Sequence, residues 1–221
     1  MITSRDNEKL KLVRKLHDRR WREKLGLFAV EGEDLVAEGI DPVELLIAGE
    51  NVEPSLLAEV STLAHPPRVV AIYRRDDLPR GVRPVTLALW RVADPGNVGT
   101  LLRAADAFGA GIALSEGCAD PTGPKAVRAS MGSIFRVPLS EFDAPAGTRV
   151  ALVPSDGIPL PELQLAGDVV LALGAEREGL PAQVLERCQQ RASIPQPGGA
   201  ESLNVAMAGA IALYELTRDG R

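Results

Sequence analysis

The sequence contains few of the residues that build disulfide frameworks or metal centres. It has two cysteines, Cys118 and Cys188, and two histidines, His17 and His65, among 221 residues. Two cysteines cannot form a disulfide framework, and no cluster of histidine and cysteine has the spacing of a zinc site. We therefore expect no metal ion and no disulfide scaffold.

Long apolar runs are also missing. No uninterrupted apolar stretch approaches the roughly 20 residues that a membrane span needs, and the N-terminus opens directly into charged residues. The chain is 45% hydrophobic and 25% charged, which is typical of a globular protein with a real core. The sequence therefore predicts a cytoplasmic globular protein.

The glycine fingerprints of nucleotide-binding enzymes are absent too. The sequence contains neither a Gly-x-Gly-x-x-Gly turn after a strand nor a Gly-x-x-x-x-Gly-Lys-Ser/Thr loop. A nucleotide-dependent enzyme of small molecules with a doubly wound sheet remains an alternative, but it lacks its main support.

Basic residues are outnumbered by acidic ones overall and are concentrated in one place. The formal net charge is −5, yet residues 5–24 carry nine Lys/Arg against four Asp/Glu. Leu10, Val13, Leu16 and Trp21 fall near helical spacing, which predicts one helix with its basic side chains facing outward. Such a face is either simply solvated or binds a polyanion, and taken alone it favours the solvated face, because runs of charge usually serve solubility.

The apolar runs predict two α/β units. In the first, short β-rich runs at 26–32, 43–49 and 68–73 alternate with helical stretches at 33–38 and 55–63. Residues 74–85 are charged and contain two prolines and a glycine, as expected of a linker. We therefore predict an N-terminal unit over residues 1–80 and a second unit over 81–221.

The second unit has the pattern of a parallel sheet. Its strands are predicted from runs that are apolar on both faces, as a sheet covered by helices requires. These runs are TLALWRV, GIALS, RVALVPS, DVVLALG and ASIP. The last predicted helix, residues 203–217, is rich in alanine and glycine, which let another backbone approach closely.

The first motif is DPGNVGTLLRAADAFGAG, residues 94–111, placed between two predicted strands. Asn97 is a suitable helix N-cap, and Gly109 can end the helix in a left-handed conformation. Arg103 lies roughly 160° from the centre of the helix's apolar stripe, so it faces outward. It is either a solvated arginine or a charge aimed at a polyanion.

Two further motifs follow at predicted strand ends. LALGAEREGLP, residues 171–181, places Gly174 and Glu176 at the carboxyl end of a strand, where open α/β sheets bind ligands. SIPQPGGAESLNVAMAGA, residues 193–210, leads through a Pro/Gly-rich loop to Ser202, a plausible N-cap of the last helix. Each signal is weak alone.

In this order and spacing, the motifs resemble the SpoU family of the SPOUT class of S-adenosylmethionine-dependent RNA methyltransferases, which methylate a ribose 2′-hydroxyl. The likeness covers residues 86–217 closely and includes PKAVRASMGSIFRVP at 124–138. The segment at 19–32 resembles, more loosely, the ribosomal-protein-like α/β substrate-binding domain that often precedes this catalytic domain. One departure is Trp90, where family members often carry an acidic residue.

The resemblance implies a C-terminal SPOUT domain with a deep trefoil knot, S-adenosylmethionine as cofactor, and a homodimer. It implies that the cofactor is held by main chain at Gly174, Ile194 and Leu203. The residues implied around the reaction are Asn97, Arg103, Glu176, Ser202 and Asn204. The family proposal that Arg103 activates the 2′-hydroxyl competes with a role as an electrostatic clamp, because arginine seldom gives up its proton.

The resemblance also favours RNA contact for the basic helix, since phosphate contacts supply affinity for RNA. The contacts expected there are Arg14, Lys15, Arg19, Arg20 and Arg22. Ribosomal RNA is the expected substrate, and transfer RNA is the second candidate. A non-catalytic RNA-binding module of the same fold remains an alternative.

Overall fold

The computed structural model describes residues 1–198 and 202–218. The helices are α1 Glu8–Leu16, α2 Arg19–Leu25, α3 Glu33–Ala37, α4 Pro54–Val60, α5 Pro95–Ala107, α6 Pro124–Ser130, α7 Ala182–Leu185 and α8 Val205–Thr217. The strands are β1 Leu27–Glu31, β2 Glu44–Ile47, β3 Val69–Arg74, β4 Val85–Leu89, β5 Gly111–Leu114, β6 Leu139–Glu141, β7 Thr148–Leu152, β8 Ile158–Pro159, β9 Val169–Leu173 and β10 Gln190–Ser193. Within these described residues, no helix is both long and apolar enough to cross a membrane.

The N-terminal unit is a small antiparallel sheet with helices packed on it. Its strand order is β1-β3-β2, and Val30 pairs with Ala71 in the centre. The apolar stripe of α1 closes one side of the sheet. That part of the core is formed by Leu10, Val13, Leu16, Leu46, Leu57 and Ile72.

The second unit is a seven-stranded sheet with the order β6-β5-β4-β9-β7-β10-β8. The paired strands run parallel, and β4 lies in register with β9 so that Leu87 faces Leu171. Both central strands are almost fully buried, which explains their continuous apolar sequence. The predicted α/β class is therefore confirmed, whereas the trefoil knot stays a prediction.

Small residues let α5 approach its neighbours closely. A Cβ on Gly99 would overlap the backbone of α6 at Ala126, and one on Gly209 of α8 would overlap the Leu101 side chain. The glycine and alanine content of α8 therefore serves close packing on α5.

The two predicted N-caps are wrong, although the helices they introduce are present. Asp94 caps α5, because its carboxylate accepts from the backbone N–H groups of Gly96 and Asn97 at 2.7 and 3.1 Å. Asn204, not Ser202, caps α8 in the same way. Gly109 has φ +65°, and the predicted left-handed end of α5 is confirmed.

The basic segment forms two helices rather than the single predicted one. A second helix begins after Asp18, whose side chain accepts a hydrogen bond from Arg20 N at 2.8 Å and so is the N-cap of α2. The break changes which side chains of α2 face inward. Arg22 is 4% exposed, whereas Trp21 stays partly exposed at the surface.

The prediction that Arg22 contacts RNA is therefore wrong. Its Nε donates to Asp120 of the second unit at 2.8 Å, and its Nη1 donates to the carbonyl oxygens of Leu16 and His17. The side chains of Arg22 and Asp120 are 5% and 4% exposed. Arg22 thus ties α1 and α2 to the second unit.

The two units share one apolar core. Phe28 and Tyr73 of the N-terminal sheet contact Phe135 of the second unit, with ring centroids 6.1 and 4.9 Å apart. Arg136 adds a polar link, because it bridges Glu38 of the N-terminal unit and Asp106 of α5. The linker at residues 75–84 therefore joins units that are packed against each other.

Candidate active site

A cavity of about 380 Å³ opens at the carboxyl ends of β7, β9 and β10. This is the edge of a parallel sheet where ligands bind, and the volume suits a drug-sized or cofactor-sized molecule. The cavity is lined by Leu152, Val153, Pro154, Leu173, Gly174, Ala175, Glu176, Arg177, Gly179, Ile194, Gln196, Ser202, Leu203, Asn204, Val205 and Ala208. It thus gathers the residues that the resemblance assigns to the cofactor and three of those assigned to the reaction.

A tight turn after β9 forms one wall. A Cβ on Gly174 would overlap the backbone of Gly179, so only glycine allows the chain to fold back here. Ala175 and Gly179 exchange backbone hydrogen bonds of 3.2 and 2.9 Å, and Gly179 has φ +66°. This turn holds Glu176 at the mouth of the cavity.

Glu176, Asn97 and Asn204 form a connected polar cluster. Asn97 Nδ2 donates to Glu176 Oε1 at 2.9 Å, and Asn97 Oδ1 accepts from Asn204 Nδ2 at 3.1 Å. The same Asn204 caps α8 with its Oδ1. One cluster therefore fixes the start of α5, the turn after β9 and the start of α8 relative to one another.

Glu176 is ionised at neutral pH. Its partial burial acts to raise the pKa of the carboxyl, but hydrogen bonds from Asn97 and from the backbone N–H groups of Asp94 and Ala93 outweigh burial and lower the pKa below its ordinary value. The carboxylate lies at 3.3 Å from Asp94 N and 3.4 Å from Ala93 N. Glu176 therefore acts as an acceptor that holds donors in place.

Asp94 extends this cluster to α6. Lys125 Nζ lies 2.9 Å from Asp94 Oδ2, and this contact is the largest cause of the lowered pKa of Asp94. Asp94 was not predicted as a site residue, because the capping role was assigned to Asn97. The DPGN turn was the available signal, since aspartate is as good an N-cap as asparagine.

Arg103 does not join the cluster. It is exposed on α5, and it makes no hydrogen bond or ion pair with the described residues. It lies six positions after Asn97, which places the two about 120° apart around the helix and about 9 Å apart along it. Its predicted catalytic role stays a prediction.

The cavity has features that fit S-adenosylmethionine. Leu173, Ile194 and Leu203 supply apolar walls, and the turn at Gly174 leaves main chain accessible to a ligand. The side-chain oxygen of Gln196 is buried and has no hydrogen-bond partner among the described residues. It can accept from an amino or hydroxyl group of the cofactor. Gln196 was not predicted as a site residue, although it lies within the motif at residues 193–210.

The remaining basic residues lie on the surface of the N-terminal unit. Lys15 and Arg20 are exposed, whereas Arg14 is half-buried and donates to Arg5 O at 3.1 Å. Arg19 binds Glu23 and also donates to Cys118 O of the second unit at 3.2 Å. The basic face of α2 therefore borders the loop that follows β5.

Trp90 packs within the fold. Its ring lies edge-on to Phe142, with centroids 5.2 Å apart, in a small cluster on the side of the sheet away from α5. The tryptophan that departs from the family pattern thus supports this cluster through apolar packing.

Two family models match the chain, one for each unit. The model of the SpoU rRNA Methylase family matches residues 84–214, and that of the MRM3-like substrate binding domain matches residues 7–73. The first covers more than half of the chain and contains the whole polar cluster.

Individual relatives match along almost the entire length. The 23S rRNA (guanosine(2553)-2′-O)-methyltransferase RlmP of Bacillus subtilis is 32% identical over 97% of this chain and 98% of its own. The AdoMet-bound rRNA methyltransferase from Sinorhizobium meliloti is 29% identical, with a TM-score of 0.86 over 100% of this chain and 98% of its own. The SpoU methyltransferase AviRb from Streptomyces viridochromogenes, in complex with AdoMet, is 27% identical, with a TM-score of 0.83 over 96% of this chain and 98% of its own.

Proposed function

The chain belongs to the SpoU family of S-adenosylmethionine-dependent RNA 2′-O-methyltransferases, and from that premise we propose that its substrate is 23S ribosomal RNA. The full-length similarity to RlmP supports this substrate, because it includes the N-terminal unit as well as the catalytic one. Transfer RNA is the alternative that an experiment has to exclude. The similarity to RlmP carries the choice of substrate, and the polar cluster of Asn97, Glu176 and Asn204 at the mouth of the cavity supports methyl transfer at this site.

Methyl transfer to a ribose hydroxyl requires the protein to position the hydroxyl against the methyl group and to allow the loss of one proton. S-adenosylmethionine supplies an electrophilic methyl group, so a ribose hydroxyl attacks without a covalent enzyme intermediate or a metal ion. Main chain at Gly174, Ile194 and Leu203 would hold the cofactor, with Gln196 as an additional acceptor. Ser202 lines the same cavity and offers a hydroxyl to cofactor or substrate.

Glu176 acts by orienting its neighbours. Its ionised carboxylate fixes Asn97, which in turn fixes Asn204, so the amide groups face the cavity mouth in one arrangement. Arg103 is assigned the role of a clamp that stabilises the developing alkoxide and the neighbouring phosphate. Its guanidinium is available for this role, because it has no partner among the described residues.

RNA is captured by the N-terminal unit. We assign phosphate contacts to Lys15, Arg19 and Arg20, with a lesser contribution from half-buried Arg14. Residues 1–80 then form the substrate-binding domain and residues 81–221 the catalytic domain. The enzyme works in the cytoplasm, where ribosomal RNA is available.

The enzyme acts as a homodimer that pairs along α8. Met207, Ile211 and Tyr214 lie on one face of this helix and are 57%, 41% and 56% exposed. Residues four and three apart form a continuous stripe on a helix, and exposed apolar stripes of this kind mark protein interfaces. Ile211→Glu should shift the sedimentation coefficient to that of a monomer, whereas an unchanged coefficient would refute pairing through this face.

Methylation of purified RNA tests the proposal. The wild type should transfer a methyl group from S-adenosylmethionine to unmodified 23S ribosomal RNA, and ribose-methylation mapping should find one modified 2′-hydroxyl. Glu176→Gln should lower the rate at least tenfold and leave the thermal unfolding temperature almost unchanged. Methylation of transfer RNA alone would replace the substrate, and binding of RNA without cofactor binding would indicate a non-catalytic module.

A further inference from the structure

Arg91 holds a backbone conformation that a residue with a side chain rarely adopts. Its φ is +52°, in the left-handed region that favours glycine. Its N–H donates to Ser115 Oγ at 2.8 Å, while Ser115 N donates to Leu89 O at 3.0 Å. The ends of β4 and β5 therefore fix the strained residue in place. Strain of this kind concentrates at functional sites, which makes its side chain a candidate for a role in binding.

The neighbouring loop leaves space for the Arg91 side chain. Gly117 has φ +88°, and a Cβ there would lie 3.2 Å from Arg91 Nε and 3.3 Å from its Cγ. The arginine thus extends along a glycine into solvent. Its guanidinium makes no hydrogen bond or ion pair with residues 1–198 and 202–218, unlike that of Arg22. The backbone of Arg91 is therefore strained, and the charge of its side chain stabilises no contact among the described residues.

Arg91 lies between the two functional surfaces described above. Ala93 N donates to Glu176, and two peptide units place the Arg91 Cα within about 8 Å of the Ala93 Cα. On the other side, Cys118, the residue after Gly117, accepts a hydrogen bond from Arg19 of α2. The free guanidinium thus stands between the basic face of α2 and the polar cluster at the cavity mouth.

We propose that Arg91 binds a backbone phosphate of the RNA strand close to the nucleotide that receives the methyl group. A guanidinium presents a planar fork that matches phosphate oxygens. Arg91 is exposed and does not line the cofactor cavity, so the RNA, and not the cofactor, is the anion of this reaction that its guanidinium can meet at the surface. This proposal rests on the proposed function, because it deepens the description of how that substrate is bound.

Two substitutions separate phosphate binding from a purely structural role. Arg91→Asn removes the charge but tolerates the left-handed conformation, and Arg91→Lys keeps the charge but loses the fork. Arg187→Asn is the matched control, because Arg187 is exposed and already bound to Asp143 at 2.6 Å. Each variant is assayed for thermal unfolding, cofactor affinity, the KM for a 23S ribosomal RNA fragment, and the dependence of RNA affinity on salt.

For Arg91→Asn we expect unfolding at the same or a higher temperature and an unchanged cofactor affinity. Its RNA affinity should fall about tenfold, as for the loss of a charge-assisted hydrogen bond, with a shallower salt dependence. Arg91→Lys should keep the salt dependence of the wild type and recover only part of the affinity. Arg187→Asn should resemble the wild type in all four measurements.

The outcomes distinguish this proposal from the function on which it rests. If the wild type methylates the fragment but Arg91→Asn retains its KM and salt dependence, the role of Arg91 is refuted and the function stands. A loss of unfolding temperature in Arg91→Asn without a change in RNA binding would assign the residue to structure alone. A wild type that neither binds nor methylates the fragment would refute both proposals.

Discussion

Replacing Arg22 by alanine should destabilise the protein strongly without removing any of the RNA contacts proposed for Lys15, Arg19 and Arg20. The Arg22–Asp120 pair is 2.8 Å long and almost fully buried, and removing one partner of such a pair costs about 3–5 kcal/mol. Asp120 would keep its hydrogen bonds from Thr122 and its ion pair with the guanidinium of Arg75 at 3.5 Å. These remaining partners place the expected loss at the lower end, about 3 kcal/mol.

Urea unfolding at constant m-value measures this loss, and a thermal scan should show a decrease of about 6–12 °C. Arg20→Ala is the matched control, because it removes an exposed arginine of the same helix and should change stability by less than about 0.5 kcal/mol. In a double-mutant cycle, Arg22→Ala and Asp120→Ala should be strongly non-additive. If Arg22→Ala is no less stable than Arg20→Ala, the buried pair does not hold the two units together.

Three further predictions concern RNA binding, catalysis and pH. Replacing Lys15 and Arg20 together by alanine should weaken RNA binding and make the slope of log affinity against log salt shallower by about one to two units. Cofactor affinity should not change. An unchanged slope would show that this basic face is only solvated and does not bind RNA. Arg103→Lys should be nearly as inactive as Arg103→Ala if the guanidinium acts as a clamp. Single-turnover methylation rates that recover with rising pH only in the lysine variant would instead show that Arg103 acts as the base that takes the proton of the 2′-hydroxyl. His17 has a lowered pKa, chiefly through burial and despite the attraction of Glu31 at 3.8 Å. The unfolded state therefore takes up the proton first, so stability present above about pH 6.5 should decrease as pH falls, and His17→Gln should flatten this decrease in urea titrations.

Local patterns predicted much of the fold, and the resemblance to a known family implied most of the candidate cluster. The apolar runs around Leu87 and Leu171 predicted adjacent buried strands, because a strand buried on both faces needs apolar residues throughout. The family resemblance implied that Asn97, Glu176 and Asn204 are functional residues, and the structure brings these three together. Their roles in the reaction stay predictions.

The features that the sequence did not reveal depend on contacts with residues far away in the sequence, or on where one helix ends and the next begins. Arg22 faces inward because Asp18 restarts the helix and because Asp120, 98 residues away, supplies a buried carboxylate. The helical periodicity of residues 5–24 predicts neither the new helix start nor the buried contact with Asp120. The same holds for Gln196, since only the assembled cavity shows that its oxygen is buried without a partner.

The aromatic contact between the two units also limits how such enzymes can diversify. Phe28 and Tyr73 complete their burial on Phe135, so the substrate-binding unit carries an apolar face shaped for this particular catalytic unit. Transplanting the first 80 residues onto another methyltransferase would expose that face unless the recipient supplied an equivalent of Phe135. With the RNA contacts proposed above, a new RNA target is therefore reached more readily by changing the exposed side chains of α1 and α2 than by exchanging the whole unit. The two units are then inherited as a matched pair.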